Sequence, residues 1–268
     1  MNFNLDENKS YIMGILNVTP DSFFDGGKYS SIDQIMFRVE QMINEGVDII
    51  DIGGESSRPG SARISIQEEL DRVSPVVSSI RDNFNIPISI DSMKSDVVKE
   101  LLQFKIDIIN DISSLSDPKY IDIINKTDAY ICLMHMIKDP LTMQNDPTYI
   151  DVTEDVLTYL REKCNYCMNN GINSEKIIID PGFGFGKTLD HNYELLNKLN
   201  QFSKINSNIL VGISRKSMIG NLLNKTLDKR LFGSISAAAI SLIKHAKIIR
   251  THDIRETKIT IDIIKSLI

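Results

Sequence analysis

The sequence predicts a single (β/α)8 barrel. Eight short apolar runs rich in β-branched residues recur along the 268 residues, and segments of helical period lie between them. Neither a linker nor a change of composition divides the chain, and barrels of this type ordinarily occupy such a length as one domain. We therefore expect one domain over residues 1–268, with an N-terminal extension over 1–10. The alternative is an open doubly wound sheet, which the loss of two weaker strands would favour.

The predicted strands are short and apolar on both faces, as parallel strands covered by helices are. Their limits are 11–16, 47–52, 86–90, 106–109, 129–134, 177–179, 209–213 and 247–249. The sixth is the most distinctive, because three isoleucines lead directly into Asp180, Pro181 and Gly182. A carboxylate at the end of so apolar a strand must cap a turn or face a polar cavity.

The intervening helices are recognised by their apolar faces and by their end signals. One helix ends at Gly46, and another begins at Ser65, which has capping-box spacing to Glu68. The clearest predicted helices span 33–45, 65–81, 151–169 and 231–245. The patterns after Lys94 and Asp117 are the weakest.

Charge and composition exclude several classes of protein. The formal net charge of −6 argues against a general nucleic-acid binder. The longest apolar runs are too short to span a membrane, and residues 1–10 lack the pattern of a signal peptide. The three cysteines form no disulfide framework and no complete zinc site. We expect a soluble, cytoplasmic protein with reduced thiols.

Polar side chains follow every predicted strand. In a barrel the carboxyl ends of the strands meet at one rim, where the chemistry of such folds is found. The polar residues at these ends include Asn17, Asp51, Asp91, Asn110, His135, Asp180, Ser214 and Arg250. Each alone has an ordinary explanation as a turn former. Eight at one rim predict a polar pocket.

The predicted pocket has one part rich in hydrogen-bond acceptors and one part rich in cations. Carboxylates and an amide suit a flat heterocycle with adjacent N–H groups, and these are supplied by Asp91, Asn110 and Asp180. Cations suited to a phosphate group come from other loops, namely Arg58, Arg250 and His252, with Arg63 as a further candidate.

Two familiar phosphate motifs do not fit residues 181–188. The segment lacks the first glycine of a P-loop, because Pro181 stands there. Gly182, Gly184 and Gly186 also lack the spacing of a dinucleotide-binding turn, since Lys187 replaces the last glycine. We expect these glycines to let the chain turn sharply beside a ligand.

Taken together, the motifs resemble those of the dihydropteroate synthases from about Tyr11 to Glu256. They are NVTPDSF at 17–23, GGESSRPG at 53–60, DS at 91–92, ND at 110–111, LMHM at 133–136, DPGFGFGK at 180–187, SRKS at 214–217 and RTHD at 250–253. Each is weak alone, and the set in this order and spacing is specific.

The resemblance implies a homodimeric (β/α)8-barrel transferase of folate biosynthesis that sulfonamides target. Such an enzyme joins 6-hydroxymethyl-7,8-dihydropterin diphosphate to 4-aminobenzoate, releasing diphosphate and forming 7,8-dihydropteroate. The implied cofactor is Mg²⁺, and the implied route is SN1-like, with the C–O bond breaking before the amine attacks.

Roles are carried over position by position from the same resemblance. The pterin would be held by Asp91, Asn110, Asp180 and Lys216. The diphosphate would be held by Asn17, Ser57, Arg58, Arg250 and His252, and Asn17 would also bind the metal. The 4-aminobenzoate would be held by Phe23, Pro59, Phe185, Lys216 and Ser217. The implied catalytic residues are Asp91, Lys216, Arg250 and His252.

Some positions depart from the pattern of the family. Ser57 stands where Thr is usual, Phe24 where a small residue is usual, and His245 where Gly is usual. Ile137 and Lys138 replace a more polar turn. We expect His245 to face solvent. Two other functions remain open from the residues: a methyltetrahydrofolate-dependent methyltransferase, and a non-catalytic protein that binds a pterin.

Overall fold

Eight parallel strands form a nearly closed barrel in the part of the chain that the computed structural model describes, residues 3–19, 31–56 and 61–267. They are β1 (Tyr11–Asn17), β2 (Ile49–Gly53), β3 (Ile88–Asp91), β4 (Ile108–Asp111), β5 (Tyr130–Met134), β6 (Ile177–Asp180), β7 (Leu210–Val211) and β8 (Ile248–Thr251). The order is β6-β5-β4-β3-β2-β1-β8-β7, and a parallel bridge between Ile179 and Ile209 links its two ends. The predicted barrel is confirmed. The open doubly wound sheet is wrong, because the first strand β1 pairs with the last strand β8 and the bridge between Ile179 and Ile209 joins the two ends of the order.

Helices cover the outside of the barrel. Those in the described residues are α1 (Ser31–Asn44), α2 (Ile66–Asn83), α3 (Ser95–Leu101), α4 (Lys119–Ile124), α5 (Val152–Asn169), α6 (Leu189–Asn197), α7 (Ser217–Leu223), α8 (Leu231–Ile243) and α9 (Ile254–Lys265). The four clearest predicted helices are confirmed as α1, α2, α5 and α8. The two weakest predictions correspond to α3 and α4, which are short and therefore carry little periodic signal.

Local chemistry fixes the helix ends. Ser65 accepts a hydrogen bond from the N–H of Glu68 at the start of α2, as its spacing predicts. Helix α8 ends two residues before the predicted limit, because His245 adopts φ +71° and the N–H of Ala246 bonds back to the carbonyl of Ser241. His245 is exposed, as expected.

Side chains alternate along the strands and form two apolar layers. The layer inside the barrel contains Tyr11, Met13, Ile49, Ile108, Tyr130, Cys132, Ile178, Leu210 and Ile248. The intervening side chains, such as Ile12 and Ile50, pack against the helices. Side chains inside such barrels stack in layers drawn from alternate strands. Two residues beyond Ile49, Ile108, Ile178 and Ile248, the next layer consists of Asp51, Asn110, Asp180 and Arg250.

None of the described helices combines the length and the apolarity needed to cross a bilayer.

Candidate functional site

The polar layer is held together by Arg250. Its Nε lies 2.6 Å from Oδ2 of Asp51, and its Nη2 lies 2.7 Å from Oδ2 of Asp91. Asn110 donates weakly to the same Asp51 carboxylate, at 3.4 Å and 3.3 Å from its two oxygens. Four strands thus place two carboxylates, an amide and a guanidinium in mutual contact above the apolar interior. This confirms that the predicted strand ends converge at one rim.

Sequence reasoning placed Asp51 at the polar rim but assigned it no ligand, whereas the structure places it at the centre of this cluster. Asp51 is fully buried, and it anchors both Arg250 and Asn110. A signal for it existed in the sequence. The period of two puts Asp51 on the same face of β2 as the interior residue Ile49, and a charged side chain inside a barrel needs a partner.

Burial makes the carboxylates of this layer poorly solvated. It raises the pKa of Asp91 to about 7, with Arg250 acting in the opposite direction and Asp51 reinforcing the rise. Burial also raises the pKa of Asp180, which Lys216 opposes. Both carboxylates therefore gain from a ligand that brings N–H donors to them.

Lys216 connects the carboxylate side of the rim to an aromatic side. Its Nζ donates to the carbonyl of Phe183 at 2.5 Å and lies 4.5 Å from the centre of the Phe185 ring. Burial lowers the pKa of Lys216 to about 8, and nearby Asp180 partly restores it. The predicted contact of Lys216 with both halves of the site is consistent with this position.

Gly184 combines a left-handed backbone with close packing against Lys216. Its φ is +79°, and a Cβ there would lie 3.1 Å from Cδ of Lys216. The predicted sharp turn is confirmed in this segment, since Gly182, Gly184 and Gly186 all have positive φ.

A cleft of about 1250 Å³ opens at the rim. It brings together six of the predicted residues: Asn17, Phe185, Lys216, Ser217, Arg250 and His252. The Oγ of Ser214 lies 3.1 Å from Nδ1 of His252, and this hydrogen bond orients the imidazole. The cleft therefore joins the cationic, aromatic and lysine groups in one space.

Two other arginines near the rim have carboxylate partners. Nη1 of Arg63 lies 3.1 Å from Oε1 of Glu55. Since this contact does not involve a phosphate, the role of Arg63 in phosphate binding stays a prediction. Arg215 holds Asp253 through Nε and Nη2 and thereby stabilises the loop that presents Lys216.

Several predicted residues cannot be placed. Phe23, Phe24, Ser57, Arg58 and Pro59 lie outside the described residues. Their contributions stay predictions.

Asn17 fits the requirements of a Mg²⁺ ligand. It is half-buried at the end of β1, it lines the cleft, and its amide offers the oxygen that this ion prefers. The described residues contain no group of three or more His, Cys, Asp and Glu able to hold a metal. An ion at Asn17 would thus be held largely by water and by oxygens of a phosphorylated substrate, which is a usual arrangement for Mg²⁺.

Comparisons with known proteins agree with this geometry. A family model described as pterin binding enzyme matches residues 13–252. The dihydropteroate synthase of Haemophilus influenzae is 48% identical over 253 residues, covering 94% of this chain and 92% of the relative. That of Escherichia coli K12 is 49% identical over 254 residues, covering 95% and 90%.

Solved structures give the same result. The Yersinia pestis dihydropteroate synthase in complex with a sulfonamide drug superposes with a TM-score of 0.92 at 43% identity, covering 98% of this chain and 96% of that one. The Xanthomonas albilineans dihydropteroate synthase with 4-aminobenzoic acid has a TM-score of 0.91 at 33% identity, covering 97% and 94%.

Proposed function

Because this chain belongs to the pterin-binding enzymes, and among them to the dihydropteroate synthases, we propose that the rim residues described above carry out the condensation of that family. The chain is a transferase of folate biosynthesis. It joins 6-hydroxymethyl-7,8-dihydropterin diphosphate to 4-aminobenzoate and releases diphosphate. One observation carries the assignment of roles: Arg250 contacts Asp91 and also lines the cleft that contains Phe185 and Lys216.

The pterin ring would bind to the polar layer. Asp91 and Asp180 offer carboxylate oxygens to ring N–H groups, and Asn110 offers an amide. As the C–O bond breaks, the leaving diphosphate takes both electrons and a carbocation forms, conjugated with the ring. A ring N–H bonded to Asp91 becomes more acidic at that moment, so this bond strengthens in the transition state. Asp91 thereby lowers the barrier to heterolysis.

The leaving group would sit beside the cationic residues. Arg250, which contacts Asp91, lines the cleft together with His252, and Asn17 lines it at the end of the neighbouring strand β1. Arg250 is pre-positioned by Asp51, so it can stabilise the departing oxygens without first being ordered. When bound at Asn17, Mg²⁺ supplies further positive charge to the diphosphate.

The amine would enter on the aromatic side. The ring of 4-aminobenzoate can pack against Phe185, with Lys216 and Ser217 lining the same cleft. Its uncharged nitrogen attacks the carbocation, forms the C–N bond and then loses a proton. Sulfonamides share the aniline ring of 4-aminobenzoate, so we place their binding at this subsite too.

The test is to follow diphosphate release from the pterin diphosphate by the purified chain. We expect release with formation of 7,8-dihydropteroate when both 4-aminobenzoate and Mg²⁺ are present, a much lower rate without Mg²⁺, and no pteroate without the amine. Binding of the pterin with no release under any of these conditions would instead indicate a non-catalytic protein. Methyl transfer from a methylated folate would favour the methyltransferase.

Pterin binding should depend on pH. Since burial raises the pKa of Asp91 to about 7, its carboxylate becomes protonated below neutral pH and loses an acceptor site for the ring N–H groups. The affinity should therefore fall by up to about tenfold per pH unit below pH 7, if one proton is involved. Calorimetry with 6-hydroxymethylpterin checks this without interference from phosphate ionisation. The Asp91→Ala variant should give a flatter profile, and a constant affinity of the unaltered chain from pH 8 to 5 would contradict the role of Asp91.

We further propose a homodimer. Helices α8 and α9 pack against each other, and both present exposed apolar side chains at helical spacing. These are Phe232, Ile240, Ile243, Ile259 and Ile263, and Phe232 is 84% exposed. Such a stripe on neighbouring helices suits a self-complementary interface between two copies.

A double variant tests this interface. Ile243→Lys combined with Ile263→Lys should convert a dimer into a monomer, because two charges would be buried at the contact. Sedimentation velocity measures the change. Phe37→Lys is the matched control, since Phe37 is also exposed and apolar but lies on α1. A dimer that persists in the double variant would place the interface elsewhere.

We also propose that the chain works in the cytoplasm. Cys132, Cys164 and Cys167 are buried free thiols, a state that suits a reducing compartment.

A further inference from the structure

Lys187 is a buried amine that the mechanism above does not use. It is 4% exposed, and its Nζ lies among acceptors from two segments. The carbonyl oxygens of Gly182 and Phe185 are 2.9 Å and 3.0 Å away, and Nδ1 and the carbonyl oxygen of His135 are 3.0 Å and 3.3 Å away. Because a buried amine must replace its lost hydration with such bonds, Lys187 ties the loop after β6 to the end of β5.

His135 acts in this contact as a neutral acceptor. Burial, together with the nearby charge of Lys187, lowers the pKa of His135 to about 2, so the imidazole is uncharged. The rings of Tyr149 and Tyr159 pack at 6.0 Å and 4.9 Å from it and leave it little freedom. With its proton on Nε2, Nδ1 is free to accept from Lys187. Burial also lowers the pKa of Lys187 to about 7, which Asp180 opposes.

The loop between Gly182 and Gly186 is held by side chains at every carbonyl. Lys187 donates hydrogen bonds to the carbonyls of Gly182 and Phe185. The other three carbonyls accept hydrogen bonds from side chains of other segments. The donors to Phe183, Gly184 and Gly186 are Lys216, Gln144 and the hydroxyl of Tyr149, at 2.5 Å, 2.7 Å and 2.7 Å respectively. A run of backbone fixed in this way behaves as one rigid piece.

Two glycines of the loop lie in close contact with the residues that follow β5. A Cβ on Gly182 would lie 1.9 Å from the carbonyl oxygen of His135, and one on Gly186 would lie 2.3 Å from Cγ1 of Ile137. The backbone is therefore pressed against the segment that follows β5. Lys187 bonds to the carbonyls of Gly182 and Phe185, and Lys216, which lines the cleft, bonds to the carbonyl of Phe183.

We propose that Lys187, together with neutral His135, is a positioning residue for the amine substrate, fixing Phe185 where the ring of 4-aminobenzoate packs. The inference rests on the function proposed above for Phe185. Lys187 acts through the carbonyl of Phe185 and the backbone around it. Two of the proposed pterin contacts, Asp91 and Asn110, lie on β3 and β4, away from Lys187. Asp180 ends β6 directly before the loop, and its Oδ1 accepts from the N–H of Gly182 at 2.7 Å.

The test separates the two substrates. Lys187→Met keeps the length of the side chain and removes its donors, and His135→Phe keeps the ring packing and removes one acceptor. Lys126→Met is the control, because Lys126 is exposed. The Michaelis constant for 4-aminobenzoate is measured by diphosphate release at saturating pterin diphosphate and Mg²⁺. The dissociation constant of 6-hydroxymethylpterin is measured by calorimetry.

We expect the Michaelis constant for the amine to rise about tenfold in Lys187→Met and about threefold in His135→Phe, as small misplacements of a contact group do. The pterin dissociation constant should rise by clearly less than the amine constant, because Asp91 and Asn110 lie away from Lys187, and Lys126→Met should match the unaltered chain. An unchanged amine constant, or equal losses for amine and pterin, would overturn the proposal. If Lys187→Met fails to fold, His135→Phe decides by the same comparison. Absence of turnover in the unaltered chain would instead refute the proposed function.

Discussion

Replacing Asp91 with alanine should lower turnover at least a hundredfold while the protein stays folded. The lost carboxylate is the group that stabilises the pterin cation, and removing one such contact typically raises a barrier by roughly 3 to 4 kcal/mol. The fold should survive because Arg250 keeps its contact with Asp51 at 2.6 Å. Steady-state turnover and thermal unfolding measure the two effects separately.

Two comparisons sharpen that result. Asp91→Asn keeps the shape and removes the charge, so it should lose nearly as much activity as alanine. Asp82→Ala removes an exposed carboxylate on α2 and should leave turnover unchanged. Near-normal turnover in Asp91→Ala would remove Asp91 from the mechanism.

Replacing Arg250 with alanine should also cost at least a hundredfold in turnover, because the departing diphosphate loses a preorganised cation. The roles carried over from the family predict a variant that stays folded. The structure alters that expectation. Arg250 pairs with Asp51 and Asp91, whose side chains are 0% and 11% exposed, and breaking a buried pair on one side costs about 3 to 5 kcal/mol. Chemical denaturation should show this loss.

A double variant distinguishes the structural effect of Arg250 from its chemical one. Asp51→Asn combined with Arg250→Ala removes one unpaired carboxylate, so part of the lost free energy of unfolding should return. Turnover should stay low, since no cation faces the diphosphate. Recovery of turnover along with stability would mean that Arg250 serves the fold alone.

The architecture was predictable because its signals are local. Runs such as Ile177–Ile178–Ile179 are fully buried between the barrel interior and the helices, so their composition identifies them as strands. Given parallel strands in a barrel, Asp91, Asn110 and Asp180 had to meet at one rim. The short helices α3 and α4 were harder to recognise, because 7 and 6 residues complete too few turns to show a period.

The pairings within the site were not predictable in the same way. Arg250 and Asp51 are 199 residues apart in sequence, and no local pattern links them. The role of Lys187 was not predictable either, because the sequence shows only a cation after a glycine-rich turn. Its partners are three backbone carbonyls and the imidazole of His135, and these depend on the fold of the loop.

The most direct measurement is a crystal structure of the chain with 6-hydroxymethyl-7,8-dihydropterin diphosphate and Mg²⁺ bound. We predict the ring within hydrogen-bonding distance of Asp91, Asn110 and Asp180, and the phosphates in contact with Arg250 and His252. A ring bound away from these carboxylates, or phosphates beyond the reach of Arg250, would contradict a single rim that stabilises both halves of the breaking bond.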